Sequence, residues 1–211
     1  MNTENPTATT SDDPRVGWYD RNATRLAEQY ESATFEAVHK WLLPLLSHQK
    51  DGAVLDVGAG SGRDAAWFAA RGYSVVAIEP SAGLRAEARE RHAGSSIEWW
   101  DDQLPDLEGV RGSGWTFSLI LVSAVWMHVA PQERERAAKR LSLLLRPGGL
   151  LAVTLRLGEP DTERGMAAVT REELVAHGAA CGLELVHNSI SADALGRSEV
   201  AWGEVAFRKP T

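Results

Sequence analysis

Strand-like and helix-like segments alternate along this chain, which predicts an α/β fold with a mostly parallel sheet covered by helices on both faces. Three observations carry that expectation. Short runs rich in Val, Ile and Leu recur through residues 53–155 with helical patterns between them. The stretch 54–68, VLDVGAGSGRDAAWF, is a hydrophobic strand that breaks into alternating glycines and restarts as a helix. The chain has 211 residues, 44% of them hydrophobic, enough for one full core but too few for two well-buried domains.

Residues 1–15 are polar, lack periodicity and read as a flexible tail ahead of a single domain. Residues 16–50 are expected to form an N-terminal helical cover. There Leu26, Tyr30, Phe35, Val38, Leu42 and Leu45 recur at roughly helical spacing, predicting a pair of helices with Pro44 near the end of the second. Residues 51–211 are the core. Strands are expected at 53–57, 74–79, 97–100, 117–123, 150–155, 183–188 and 200–207. Helices are expected at 63–70, 82–92, 132–145 and 171–181, with a loop and short turn segment, DDQLPDLEGVRGSG, after the third strand. Thr170 followed three residues later by Glu173 is a capping-box signal for the last helix. No long helical pattern separates the last two strands, which should form an antiparallel hairpin at one edge.

The balance of 29 acidic against 22 basic residues, a formal charge of −7, gives no global attraction to a phosphate backbone, so nucleic acid is disfavoured as a partner. One cysteine, Cys181, provides neither a disulfide framework nor a zinc-site cluster, and the expected location is a reducing cytoplasm. No segment has the pattern of an export signal or the length of a membrane span, so no membrane partner is expected.

Gly58, Gly60 and Gly62 occupy the first strand-to-helix turn, where open α/β sheets bind their ligands. Glycines let the backbone bend freely and let a ligand reach N–H groups at the helix start. The spacing G-x-G-x-G places Arg63 where a dinucleotide fingerprint needs its third glycine, which weakens a nicotinamide-cofactor reading. Asp56 lies within the strand, where a buried carboxylate needs N–H donors or a cation such as a ligand ammonium group. Glu79 ends the next strand about 20 residues after the turn, placed to accept hydrogen bonds from two ribose hydroxyls. Together they point to a nucleoside ligand.

These residues resemble the class I S-adenosylmethionine-dependent methyltransferases, and within them the small-molecule type with an N-terminal helical cover. VLDVGAGSGRDAAWFAARGYSVVAIEPS is similar to the family's glycine-rich motif and second-strand acid, and WWDDQLPDL to its adenine-contacting loop. FSLILVSAVWMHV and LLLRPGGLLAVTL are similar to its fourth strand with the following active-site segment and to its Pro-Gly-Gly turn with the fifth strand. The resemblance implies a Rossmann-like seven-stranded sheet of order 3-2-1-4-5-7-6, the last strand antiparallel. It implies S-adenosylmethionine as cofactor, S-adenosylhomocysteine as product, and a small-molecule oxygen, nitrogen or sulfur acceptor, in a monomer or homodimer.

Carried onto this sequence, the family pattern puts Asp56, Gly58, Gly60 and Gly62 around the methionyl part and Glu79 at the ribose. Asp101 and Asp102 compete for the adenine amino group, with Asp101 preferred and a backbone N–H of Asp102 or Gln103 on the ring nitrogen. Ser123 stands near the cofactor at the end of the fourth strand. Arg63 either pairs with the cofactor carboxylate or is an ordinary first-turn arginine, and Tyr19 and Tyr30 either form a lid or pack the cover. His128 is the candidate general base, its ordinary pKa of about 6.5 suiting proton removal at neutral pH, with a structural histidine as the alternative. Trp126 and Met127 are candidate pocket walls or core. Arg156 and Arg164 either clamp an acceptor carboxylate or phosphate or pair within their own loop.

Absent motifs narrow the class further. No Asn/Asp-Pro-Pro-aromatic motif follows the fourth strand, Cys181 is not in a Pro-Cys nucleophile position, and Ser123 and Ala124 stand where catechol-type enzymes place metal ligands, so no metal is implied. The rival readings are a nicotinamide-dependent oxidoreductase, a non-catalytic S-adenosylmethionine-binding scaffold, and a fold relative catalysing another alkyl transfer or a cyclisation.

Overall fold

A computed structural model describes residues 13–46, 52–194, 196, 197 and 199–211. Seven strands, β1 Ala53–Val57, β2 Ser74–Ile78, β3 Ile97–Trp100, β4 Phe117–Ser123, β5 Leu145–Leu157, β6 Glu184–Ala192 and β7 Ala201–Arg208, form one sheet in the order 3-2-1-4-5-7-6. β1 pairs in parallel with β2 and β4, while β7 runs antiparallel to both β5 and β6. The Rossmann-like order implied by the sequence is the order observed. Strand order reverses beside β1, so the turn after it opens onto the crevice between β1 and β4.

The central strands are apolar on both sides because helices cover both faces. Leu55, Val57, Ile120, Val122 and Val153 face one cluster that includes Trp126 and Leu141, whereas Val54, Ala77, Leu121 and Ala152 face a second built on Phe35, Leu42 and Phe68. Asp56 sits between Leu55 and Val57, so the strand's alternation turns it to the Phe35 face. The helices of the core are α5 Arg63–Ala69, α6 Ala82–Arg91, α7 Glu108–Gly112, α8 Arg134–Leu144 and α9 Arg171–Ala180. The Thr170 side chain accepts from the Glu173 backbone N–H at 3.1 Å, which caps α9 as the sequence signal implies.

The expected pair of N-terminal helices is four shorter pieces: α1 Pro14–Arg21, α2 Ala23–Glu31, α3 Phe35–Val38 and α4 Leu43–Leu46. The chain breaks at Asn22, between two helices that share one neighbour, and again after Ser32, where it crosses to a different one. α1 and α2 lie on α6, with the Asp20 side chain accepting from the Ser81 hydroxyl and the Gly83 N–H. Phe35 of α3 stacks on Trp67 of α5 with ring centroids 3.9 Å apart. Helix α1 begins at Pro14 with Asp13 as its cap, so the last residues of the segment read as tail are helical. Residues 1–12 of that segment and 47–51 at the end of the cover lie outside the described residues. The segment after β3, read as a loop and turn, holds α7, and β5 starts five residues before its expected position, taking in the Pro-Gly-Gly turn.

Candidate active site

At the carboxyl ends of β1, β2 and β4, the glycine turn, the post-strand loops and the helical cover enclose a cavity of about 440 Å³. Its inner wall is the turn after β1. Gly58, Gly60 and Gly62 have φ of 67°, 57° and 87°, a left-handed path that glycine adopts without strain. A side chain on Gly58 would collide with Val125, and one on Gly60 would press on the Tyr30 ring, so this turn also sets how closely the following segments approach. Gly62 does not line the cavity. A Cβ there would come within 2.6 Å of Trp99 and 2.8 Å of His92, so its smallness serves packing instead of ligand contact.

Asp56 lines the cavity from the floor and is 1% exposed. Its Oδ2 is buried without a hydrogen-bond partner, and burial, reinforced by the nearby Asp64 charge, pushes its carboxyl well above the usual range. Such a group needs a cation. Glu79 is anchored on both oxygens: Oε2 accepts from the Gly60 N–H and Oε1 from the Ser81 N–H, each at 2.9 Å. Burial nevertheless pushes its carboxyl up to about 7, the two backbone donors offsetting only part of the desolvation. Each oxygen retains an acceptor site, so the anchored carboxylate can still take two hydroxyl donors.

Arg63 is held by Asp64 Oδ1 at 2.7 Å and donates to the Tyr30 carbonyl at 3.1 Å, tying α5 to the cover. Burial alone would raise the Asp64 carboxyl, but His39 at 2.8 Å and Arg63 hold it well below the carboxylate range. This buried His39–Asp64–Arg63 group fixes the helix that follows the glycine turn. Neither the spacing of His39 nor its surroundings in sequence signals that pairing.

The loop after β3 corrects two expectations. Asp101 points away from the cavity lining and pairs with Arg85 at 3.1 Å, whose guanidinium also meets the Glu79 carbonyl. Asp102 is the acid that lines the cavity, its carboxylate braced by the N–H groups of Gln103 at 2.9 Å and Val110 at 3.0 Å. Gln103 lines the cavity too, but its N–H is already bonded to Asp102 and is not free for a ring nitrogen. Trp99 and Trp100 pack on opposite faces of the sheet, and neither lines the cavity.

The outer wall gathers residues from α1, α2, the segment after β4 and the loop after β5. The Tyr19 hydroxyl and His128 Nε2 are 3.0 Å apart, and the Arg15 guanidinium donates to the His128 carbonyl at 2.7 Å. Burial, then the charges of Arg164 and Arg15, lowers His128 to about 4, so the ring is neutral at pH 7 and holds a proton weakly. Burial likewise raises the Tyr19 and Tyr30 phenols above their ordinary value. Arg164 donates to the Tyr30 hydroxyl at 3.2 Å and lies over the Trp18 and Tyr19 rings at 5.2 and 5.3 Å. Arg156 lines the cavity and donates to the Glu159 carbonyl at 2.8 Å. Ser123 and Met127 line it, Met127 also packing in the core, whereas Trp126 is fully buried in the core and makes no wall.

Several lining residues gave no sequence signal. Thr154 accepts from the Ala124 N–H at 2.9 Å and thereby holds Ala124 at φ 58°, a left-handed turn unusual for alanine, right after β4. Arg15, Arg197, Trp202 and Glu204 enter from the chain ends, α1 at one and β7 with the loop before it at the other. No group of three or more His, Cys, Asp or Glu that could hold a metal occurs among the described residues, and no described helix is long and apolar enough to cross a membrane.

A reversed strand order at a glycine turn, with a buried acid on the floor and a second acid at the end of β2, defines a Rossmann-like site of the class I methyltransferase type. Residues 54–149 match the methyltransferase domain family. A malonyl-[acyl-carrier protein] O-methyltransferase of Salmonella typhimurium is 31% identical over 135 residues, 62% of this chain and 50% of that protein. An uncharacterized methyltransferase of Mycobacterium tuberculosis is 34% identical over 100 residues, 47% of this chain and 48% of that protein. This chain thus spans about half the length of these curated relatives. The fold is shared with a Burkholderia thailandensis 1,6-didemethyltoxoflavin-N1-methyltransferase crystallised with S-adenosylhomocysteine, at TM-score 0.74 and 18% identity, covering 99% of this chain and 94% of that one. It is also shared with the N-methyltransferase NodS of Bradyrhizobium japonicum in complex with S-adenosylhomocysteine, at TM-score 0.73 and 19% identity, covering 94% and 100%. The domain match over residues 54–149 and these shared folds support a class I S-adenosylmethionine-dependent methyltransferase.

Proposed function

We propose that this protein transfers a methyl group from S-adenosylmethionine to a small-molecule acceptor and releases S-adenosylhomocysteine. The observation that carries the reading is buried Asp56, which lines the cavity beside the glycine turn and whose Oδ2 has no hydrogen-bond partner. It matches the ammonium of a methionyl group, directly or through water, and costs the free protein stability until a cation meets it. Glu79, with both oxygens anchored by backbone donors, holds the ribose hydroxyls, and Asp102 receives the adenine amino group.

When bound, the sulfonium supplies an already activated methyl group. The chain's part is to hold the acceptor in line and to exclude water. Tyr19 and Tyr30 close the cavity from the cover, tied down by His128 and Arg164. His128 serves as a wall that orients Tyr19. Its burial and the neighbouring arginine charges make it a poor proton acceptor at neutral pH. The acceptor falls in the small-molecule class because it shares with the cofactor a cavity walled by the cover and the post-strand loops.

The test is calorimetric titration of the protein and of Glu79→Ala with S-adenosylmethionine and S-adenosylhomocysteine. Micromolar binding that the substitution abolishes is the expected result. A folded wild-type protein that binds neither ligand removes the cofactor assignment and leaves only shared ancestry of the fold.

A further inference from the structure

The arginines that line the cavity are not all paired with carboxylates. Five arginines line the cavity, and three of them carry their own carboxylate: Arg15 with Asp13, Arg63 with Asp64, and Arg197 with Asp193. Arg156 is committed to a backbone carbonyl in its own turn. Arg164 differs from all of these. Its Nη2 donates to the Tyr30 hydroxyl, its Nε is buried without a partner, and among the described residues no carboxylate pairs with its guanidinium. The nearby Asp161 carboxylate is instead used to cap the short turn Thr162–Arg164 through the Arg164 backbone N–H.

The guanidinium is also locked in place. It lies over the rings of Trp18 and Tyr19, and the segment carrying it is pinned where Gly165 packs on the Arg15 stem and the Ala167 N–H meets the Met127 carbonyl at 2.8 Å. A fixed guanidinium that lines a cavity and has no carboxylate of its own is a dock for a planar anion. The Tyr30 hydroxyl accepts from Arg164 and so keeps its own proton to donate to the same anion.

We infer that the acceptor is an organic acid whose carboxylate docks on Arg164 and the Tyr30 hydroxyl. The inference rests on the proposed methyl transfer for its context, and it concerns the acceptor's side of the cavity. The cofactor's own carboxylate is the competing source of the same chemistry.

The experiment titrates the complex with saturating S-adenosylhomocysteine with benzoate and butyrate, and in parallel with benzamide and butyramide, by calorimetry. It is run on the wild type, Arg164→Gln and Arg164→Lys, with circular dichroism confirming the fold. The expected result is that at least one acid binds the wild type about tenfold or more tightly than its amide, the margin of a charge-assisted pair over a neutral one. Arg164→Gln removes that margin and Arg164→Lys retains part of it, each measured at S-adenosylhomocysteine concentrations that saturate that variant. An acid-to-amide margin below about tenfold in the wild type overturns the inference, as does a margin that survives in Arg164→Gln. A loss of S-adenosylhomocysteine affinity in Arg164→Gln that methylthioadenosine, which lacks the carboxylate, does not share assigns the arginine to the cofactor's carboxylate and equally overturns it. Failure of the methyltransferase reading is recognised separately, because the wild type then does not bind S-adenosylhomocysteine at all.

Discussion

Glu79 joins ligand recognition to a proton equilibrium, and the substitution Glu79→Gln separates the two. With its carboxyl pushed up to about 7, Glu79 is half protonated in the free protein at neutral pH. Ribose hydroxyls donate to the ionised form, so binding S-adenosylhomocysteine at pH 7 draws Glu79 to the carboxylate and releases about half a proton. Below that pH the affinity falls, by up to about tenfold for each unit. Calorimetric titration in buffers of different ionisation enthalpy counts the protons released. Because Asp56 is held above its usual range as well, the wild type minus Glu79→Gln difference is the readout. The variant binds about 30-fold more weakly, two charge-assisted bonds becoming neutral ones at about 1 kcal/mol each. Stability carries the opposite sign. The folded value lies above the ordinary 4.5, so the contribution of Glu79 is fully present below about pH 4.5 and is lost as pH rises to about 7, roughly 3 kcal/mol in all. At pH 8 the free Glu79→Gln protein therefore melts higher than wild type, less the misfit of an amide that offers one acceptor to the Gly60 and Ser81 N–H groups. Equal proton release from both proteins, with affinity constant from about pH 6 to pH 8, would refute the reasoning.

Gly62→Ala places a Cβ 2.6 Å from Trp99 at a φ of 87°. Urea unfolding should show a loss of about 2 to 4 kcal/mol, while the folded fraction binds S-adenosylhomocysteine as wild type does because Gly62 does not line the cavity. Trp126→Phe leaves ligand affinities unchanged and shifts only the unfolding midpoint, since Trp126 is 0% exposed and in the core. Thr170→Ala removes the α9 cap and costs about 1 kcal/mol in thermal or urea unfolding, with no change in binding.

The strands β1 to β4 and the cap of α9 were legible because their signals are local: runs of apolar residues, three alternating glycines, Thr170 three residues before Glu173. The break of the cover into four pieces was not, because helical spacing of Leu26, Tyr30, Phe35 and Leu42 is satisfied by one continuous face or by several short ones. Only the packing of Phe35 on Trp67 and of Asp20 on Ser81 and Gly83 decides between them. The same limit produced the preference for Asp101 over Asp102. Adjacent residues after a strand point to opposite sides, and sequence does not say that Arg85 claims one of them.

By itself, the amino-acid sequence determined the α/β class, the strand order through its resemblance, and the candidate site residues Asp56, the glycine turn and Glu79, because each depends on residues within a strand and its following turn. Tertiary structure alone decided the electrostatics of the outer wall. Arg164, Tyr30, Tyr19 and His128 are drawn from segments up to 145 residues apart in the chain, and whether a charge there is paired or left open is set by which neighbours the fold brings within hydrogen-bond reach. That neighbourhood, with burial removing the water that would otherwise screen it, turns an ordinary histidine into a weak base and leaves one arginine of the wall open to an anion.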